Sequence, residues 1–237
     1  MSLRNAFAHL TALRIPPRTR VPLHHSLHYF PWIGMAQGSV NILAYLAAER
    51  VLPTPLACLF AVLLPQLLGG FGNWRGAMEA VQGRSTAVTH AFTPGFRPDW
   101  RGTGAVALIV LAKWSALWML PPDWRVRAVL AYPVLGMSAR TFLHLRDPVA
   151  RAAKGLLLEG RRVRAGFLSA ALLFLIFLFP LRAALPALAA GALAVLAMQR
   201  VLRREDRRLS LQAVAASAEA AEVALLLTVV AAGLLLY

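Results

Sequence analysis

Two carboxylates, Glu219 and Glu222, interrupt a stretch that is otherwise apolar from Ala213 to Tyr237. On a helix a spacing of three puts both on one face. Carboxylates in apolar surroundings are costly and call for a cavity, a partner charge or a metal ion. The alternative is that the pair sits near the start of its helix and answers the arginines of 200–208. Lys113 lies inside a second apolar run, Ala107 to Trp114. Its stem either snorkels to an interface or its ammonium is buried against a carboxylate such as Glu222. A third group is polar and glycine-rich: Gly69 to Gly83, with Arg75, Glu79 and Gln82 between the glycines. It ends an apolar run, where non-helical backbone must line a watery cavity. Asp99 and Arg101 follow it. His24, His25 and His28 contain an i,i+4 pair but lack neighbouring ligands for a metal, and read as an interfacial polar segment.

The chain that must position these groups has 237 residues, is 59% hydrophobic and has a mean hydropathy of +0.61. Charged residues make up 15%, against roughly 25% in soluble domains. The 25 Lys+Arg, nearly all Arg, outnumber 10 Asp+Glu. A nucleic-acid binder would spread such an excess over a polar surface, whereas a membrane protein concentrates it in cytoplasmic loops. The distribution excludes the nucleic-acid reading. Cys58, the one cysteine, lies in an apolar run, which rules out a disulfide framework. Residues 1–28 lack the apolar region of a signal peptide.

The pattern predicts an all-α, polytopic membrane protein that forms one integral membrane domain over 1–237. An interfacial helix over 3–13, broken by Pro16-Pro17, precedes seven apolar stretches. They cover 31–48, 52–71, 104–120, 127–144, 165–181, 183–199 and 213–237, near the ~20 residues a spanning helix needs. The fifth and sixth are divided only by Pro180, Arg182 and Pro186. Arginines crowd alternate loops: the segment before the first span, then 75–101, 146–164 and 200–208. The other loops hold only Arg50, then Arg125 and Arg127, then Arg182. That alternation predicts a cytoplasmic N-terminus and an outside Tyr237. Small residues Gly34, Gly38 and Ser39 allow close helix packing. Arg is also the residue of choice for phosphate, so arginine-rich loops meeting on one face suit phosphorylated substrates.

The order of these features resembles the cobalamin synthase family (adenosylcobinamide-GDP ribazoletransferase), over nearly the whole chain. Leu10-Thr11-Ala12-Leu13-Arg14-Ile15-Pro16 is similar to the family's N-terminal LTRLPVP. Tyr29-Phe30-Pro31-Trp32-Ile33-Gly34 with Gly38 is similar to its YFPLVG…G, and Gly69-Gly70-Phe71 precedes its signature loop. Asp99-Trp100-Arg101-Gly102-Thr103-Gly104, with Ala107-Leu108 and Lys113, resembles the DSR-x-GT-x-G…LAL…K region, one residue short. Glu219-Ala220-Ala221-Glu222 resembles the terminal E-L-x-E-L. The signature DG-x-x-D-x-x-DG reads here Arg75-Gly76-Ala77-Met78-Glu79-Ala80-Val81-Gln82-Gly83. Spacing and glycines survive, while the acidic positions hold Arg, Glu and Gln. A later Gly-Asp is replaced by Leu211 and Gln212.

The resemblance implies an inner-membrane phosphotransferase that joins α-ribazole, or its 5′-phosphate, to adenosylcobinamide-GDP and releases GMP. It implies Mg²⁺ held by carboxylates, here Glu79, Asp99, Glu219 and Glu222. Arg75, Glu79, Gln82, Asp99 and Arg101 are the catalytic candidates it implies. An arginine in a carboxylate's place alters that site: at ~4 Å and an effective dielectric near 20 it repels a divalent ion by about 8 kcal/mol. Three outcomes follow. The remaining carboxylates complete the site, the site is lost, or Arg75 holds the pyrophosphate itself. A catalytically inactive homologue serving as scaffold or corrinoid binder is the first alternative. A small transporter using Lys113, Glu219 and Glu222 as its intramembrane charges is the second.

Overall fold

The computed structural model describes residues 29–82, 99–146, 174–202 and 211–236. Among the described residues every regular element is a helix. They are α1 (Phe30–Glu49), α2 (Thr54–Leu68), α3 (Gly72–Val81), α4 (Trp100–Met119), α5 (Pro122–Arg146), α6 (Leu181–Leu202) and α7 (Leu211–Leu236), with a short turn of helix over 174–178 before α6. The expected interfacial helix over 3–13, the histidine segment and the arginine loops of 146–164 and 203–208 lie outside the described residues or their side chains.

Among the described residues three helices are long and apolar enough to cross a membrane: Trp100–Met119, Leu181–Val201 and Val214–Leu235. A fourth crossing exists if α2 and α3, bent by 89°, count as one broken span. Helices also cover the expected first and fourth stretches, but α1 and α5 do not meet the same test. Asp123, Arg125, Arg127 and Arg140 dilute α5. The expected stretch over 165–181 falls mostly outside the described residues.

Proline sets several starts. Pro31 and Pro55 stand in the first turns of α1 and α2, where a missing N–H costs nothing. The stop of α2 is a Schellman turn: Phe71 N–H donates to Gln66 O (2.7 Å) and Gly70 N–H to Leu67 O (3.1 Å). Gly70 takes the left-handed conformation that this turn requires (φ 63°). Phe71 follows it there (φ 58°), an uncommon state for a residue with a side chain, and caps α3. The glycine-rich segment expected as irregular backbone is therefore a ten-residue helix. Its buried face consists of Trp74, Gly76, Ala77 and Glu79, and small residues at its centre let it lie closely on α7.

The core runs from Tyr45, Ala57 and Val62 through Leu117, Val129 and Tyr132 to Ala184, Leu225 and Val229, with Cys58 inside it. Helices α1 and α5 make close backbone contact at Gly34 and Gly38, as expected, whereas Ser39, expected with them, is exposed. A Cβ on Gly34 would lie 2.9 Å from Val134 Cα, and one on Gly38 would lie 2.6 Å from Leu130 O. Helix α7 touches α3, α4, α5 and α6, and is the element on which the others converge.

Candidate functional site

The α7 carboxylates meet Lys113 of α4 in the middle of the helix assembly. Lys113 Nζ donates to Glu219 Oε2 and to Glu222 Oε2, each at 2.5 Å. The three residues are 1%, 0% and 4% exposed. Burying such charges costs several kcal/mol each and is offset only where the remaining lone pairs and protons find partners. They do here. Gln66, in the last turn of α2, donates its Nε2 to Glu219 Oε1 at 2.8 Å. The Tyr132 ring lies 5.5 Å from the ammonium, within cation–π reach. That ring is fixed by its hydroxyl, which donates to Ala61 O (2.6 Å) and accepts from Asn41 Nδ2 (3.1 Å). Arg140, one turn beyond Gly136 on α5, is near enough to attract both carboxylates. Its Nε is buried with no hydrogen-bond partner among the described residues.

A second polar group lies where α3 meets α4. Arg75 Nε donates to Glu79 Oε1 at 2.9 Å, an i,i+4 ion pair that is mostly buried. Gln82 Nε2 (2.9 Å) and the Gly102 N–H (2.8 Å) both donate to Asp99 Oδ1, so Asp99 caps α4 and ties it to α3. The Gly102 N–H, assisted by Gln82, holds the Asp99 carboxyl below its ordinary range. Gly102 leaves little room: a Cβ there would lie 2.7 Å from Gln82 Nε2. The Arg101 guanidinium stacks over Trp100, 5.4 Å from its centroid, at the exposed start of α4. Two polar atoms in this corner, Trp74 Nε1 and Gln82 Oε1, are buried without a protein hydrogen bond among the described residues.

The expected site residues are thus brought together in two sets. Glu219 and Glu222 share Lys113, while Arg75, Glu79, Gln82, Asp99 and Arg101 gather at the α3–α4 corner. Among the described residues no three His, Cys, Asp or Glu side chains are placed to hold a metal ion. As folded, the carboxylates do not fit Mg²⁺, which draws charge from free anionic oxygens in octahedral array. Glu219 and Glu222 are bound to an ammonium, Glu79 to a guanidinium, and Asp99 to a helix start.

Gln66, Tyr132, Asn41 and Gly136 complete the centre and went unread in the sequence. Their signal is modest: uncharged polar side chains, or a glycine, inside apolar stretches. Arg125, expected as a loop arginine, is instead 7% exposed and donates to three backbone carbonyls at the end of α4.

Residues 2–90 match the family model described as cobalamin-5-phosphate synthase. The match takes in α1, α2 and α3, including Gln66, Arg75, Glu79 and Gln82. It stops short of Asp99, Lys113, Glu219 and Glu222. It supports a role in cobalamin biosynthesis, and with the apolar helices it marks a membrane protein. No curated protein and no solved structure matches the chain.

Proposed function

We propose that this chain acts in cobalamin assembly as a membrane phosphotransferase of the adenosylcobinamide-GDP ribazoletransferase type. The observation that carries the reading is the family match over the segment that builds α3 and its Arg75–Glu79 pair. A ribose hydroxyl oxygen of α-ribazole, or of α-ribazole 5′-phosphate, gives up its proton to solvent and attacks the pyrophosphate phosphorus on the cobinamide side. The bond to the bridging oxygen breaks, and GMP leaves with that oxygen. Arg75, oriented by Glu79, and Arg101, held over Trp100, bind the pyrophosphate. Their guanidiniums offset the charge that grows on the leaving phosphate. Gln82 and Asp99 keep α3 and α4 in register so that both arginines address one substrate. The substrates approach from the cytoplasm, with the chain in the inner membrane, seven spans in all and Tyr237 outside. The arginine distribution between loops supports that orientation.

A second reading is favoured by one observation: every carboxylate that would bring a metal already has a partner. On it the chain binds the corrinoid without turning it over. One experiment separates the two. The purified chain is incubated with adenosylcobinamide-GDP and α-ribazole, with Mg²⁺ or with EDTA, while GMP release and corrinoid binding are followed. GMP released at a rate that Arg75→Ala lowers at least tenfold supports the transferase. Tight corrinoid binding with no GMP in either medium sinks it in favour of the binder.

A further inference from the structure

We propose that Glu219, Glu222 and Tyr132 form a cation cage whose resident is the chain's own ammonium, Lys113. No divalent ion then enters it, and removal of the Lys113 side chain opens it to an external cation. The cage has the composition of a cation site. Two carboxylate oxygens converge on one point, each 2.5 Å from Nζ. An aromatic face closes a third side, 5.5 Å away. Its walls are also built to seat those carboxylates. Gln66 holds the far oxygen of Glu219 at 2.8 Å. Helix α5 is cut back to glycine beside Glu222, since a Cβ on Gly136 would fall 1.8 Å from Glu222 Oε1.

The ammonium excludes a second cation in two ways. It occupies the point at which the carboxylates converge, and it leaves little negative charge to attract another ion. Arg140 draws on what remains. Without Lys113, two buried carboxylates face each other, with Arg140 the remaining cation beside them among the described residues. A hard divalent ion with oxygen preference is the species that such a gap recruits. The Gln66 side chain can turn its carbonyl oxygen inward as a third ligand, because among the described residues its amide donates to Glu219 alone.

The test uses the full chain in detergent with Mn²⁺ as the probe, free Mn²⁺ being read by its electron paramagnetic resonance signal. Wild type, Glu222→Gln, Lys113→Ala and the double variant Lys113→Ala/Glu222→Gln are compared. Wild type and Glu222→Gln are expected to leave the same free Mn²⁺. Lys113→Ala is expected to bind one Mn²⁺ per chain, at least tenfold tighter than wild type, and to melt higher in its presence. The double variant is expected to lose that binding. Stoichiometric Mn²⁺ on wild type that Glu222→Gln abolishes would overturn the proposal, as would a folded Lys113→Ala that gains none. Where Lys113→Ala does not fold, Lys113→Ser takes its place, and the comparison of wild type with Glu222→Gln decides native occupancy alone. The readout is metal, not turnover, and stands whether or not GMP is released.

Discussion

The Glu222 carboxylate occupies space that any side chain on residue 136 would claim. A Cβ at Gly136 would stand 1.8 Å from Glu222 Oε1 and 2.7 Å from its Cδ. Glu222 cannot swing aside without giving up Lys113, its 2.5 Å partner. Gly136→Ala is therefore expected to destabilise the protein by about 3 kcal/mol, the upper part of the overpacking range, because steric strain and a loosened ion pair coincide. Unfolding in mixed micelles measures it. Combining Gly136→Ala with Glu222→Ala removes the collision, so the two costs are expected to be less than additive.

A similar contact joins α1 to α5, but against backbone rather than a side chain. The Cβ of an alanine at Gly38 would lie 2.6 Å from Leu130 O, and one at Gly34 2.9 Å from Val134 Cα. Backbone atoms have no rotamer to escape into, so the helices must part. Gly38→Ala is expected to cost about 2–3 kcal/mol, and Gly34→Ala somewhat less. Ser39, on a different face, is the control: Ser39→Ala is expected to change thermal stability little. Equal effects at the three positions would argue against the close crossing.

These cases show what the sequence could and could not carry. Gly34 and Gly38 were legible because small residues four apart in an apolar run have one dominant use. Lys113 was legible as a buried cation because its place in the run forbids an easy route to water. Its double partnership was not, because it depends on the relative rotation of α4 and α7. Helix α3 was hidden by its glycines, which suggest irregular backbone. In fact Gly70 makes the turn, while Gly76 lies on the face buried toward the other helices. Arg125 was hidden for another reason: its partners are mainly backbone carbonyls, which no side-chain pattern reveals.

Arg125 supplies what the end of α4 lacks. Its Nε reaches Leu117 O (2.9 Å), and its Nη2 reaches Leu120 O (2.7 Å) and Trp118 O (3.2 Å). Its Nη1 turns to Tyr45 Oη (3.3 Å) and Glu49 Oε1 (3.5 Å) at the end of α1. Unsatisfied carbonyls at a helix end are costly when buried. Arg125→Met is expected to lose about 3 kcal/mol, the cost of stranding buried acceptors. Arg125→Lys is expected to recover less than half, since one ammonium cannot span what a planar fork spans. Tyr45→Phe, which removes a single outer partner, is expected to cost about 1 kcal/mol. Thermal unfolding of the three variants side by side checks the order.

The corner between α3 and α4 is expected to respond to acid through Asp99. The Gly102 N–H and the Gln82 amide favour its charged form, so its folded pKa lies below the ordinary 3.8. The sign follows. A depressed carboxyl pKa contributes stability in full above the unfolded value and loses it as pH falls through the folded one. The corner is thus expected to be insensitive to pH through the neutral range and to loosen only below about pH 4. Hydrogen exchange at Gly102, corrected for its intrinsic pH dependence, reads the change directly, because its amide bonds to the Asp99 carboxylate, while the Thr103 amide bonds to the Asp99 backbone carbonyl and serves as the internal control. Asp99→Asn keeps a side-chain acceptor and is expected to abolish the acid step while retaining most protection. Asp99→Ala is expected to expose the Gly102 amide already at neutral pH. An acid step that persists unchanged in Asp99→Asn would place the titrating group elsewhere.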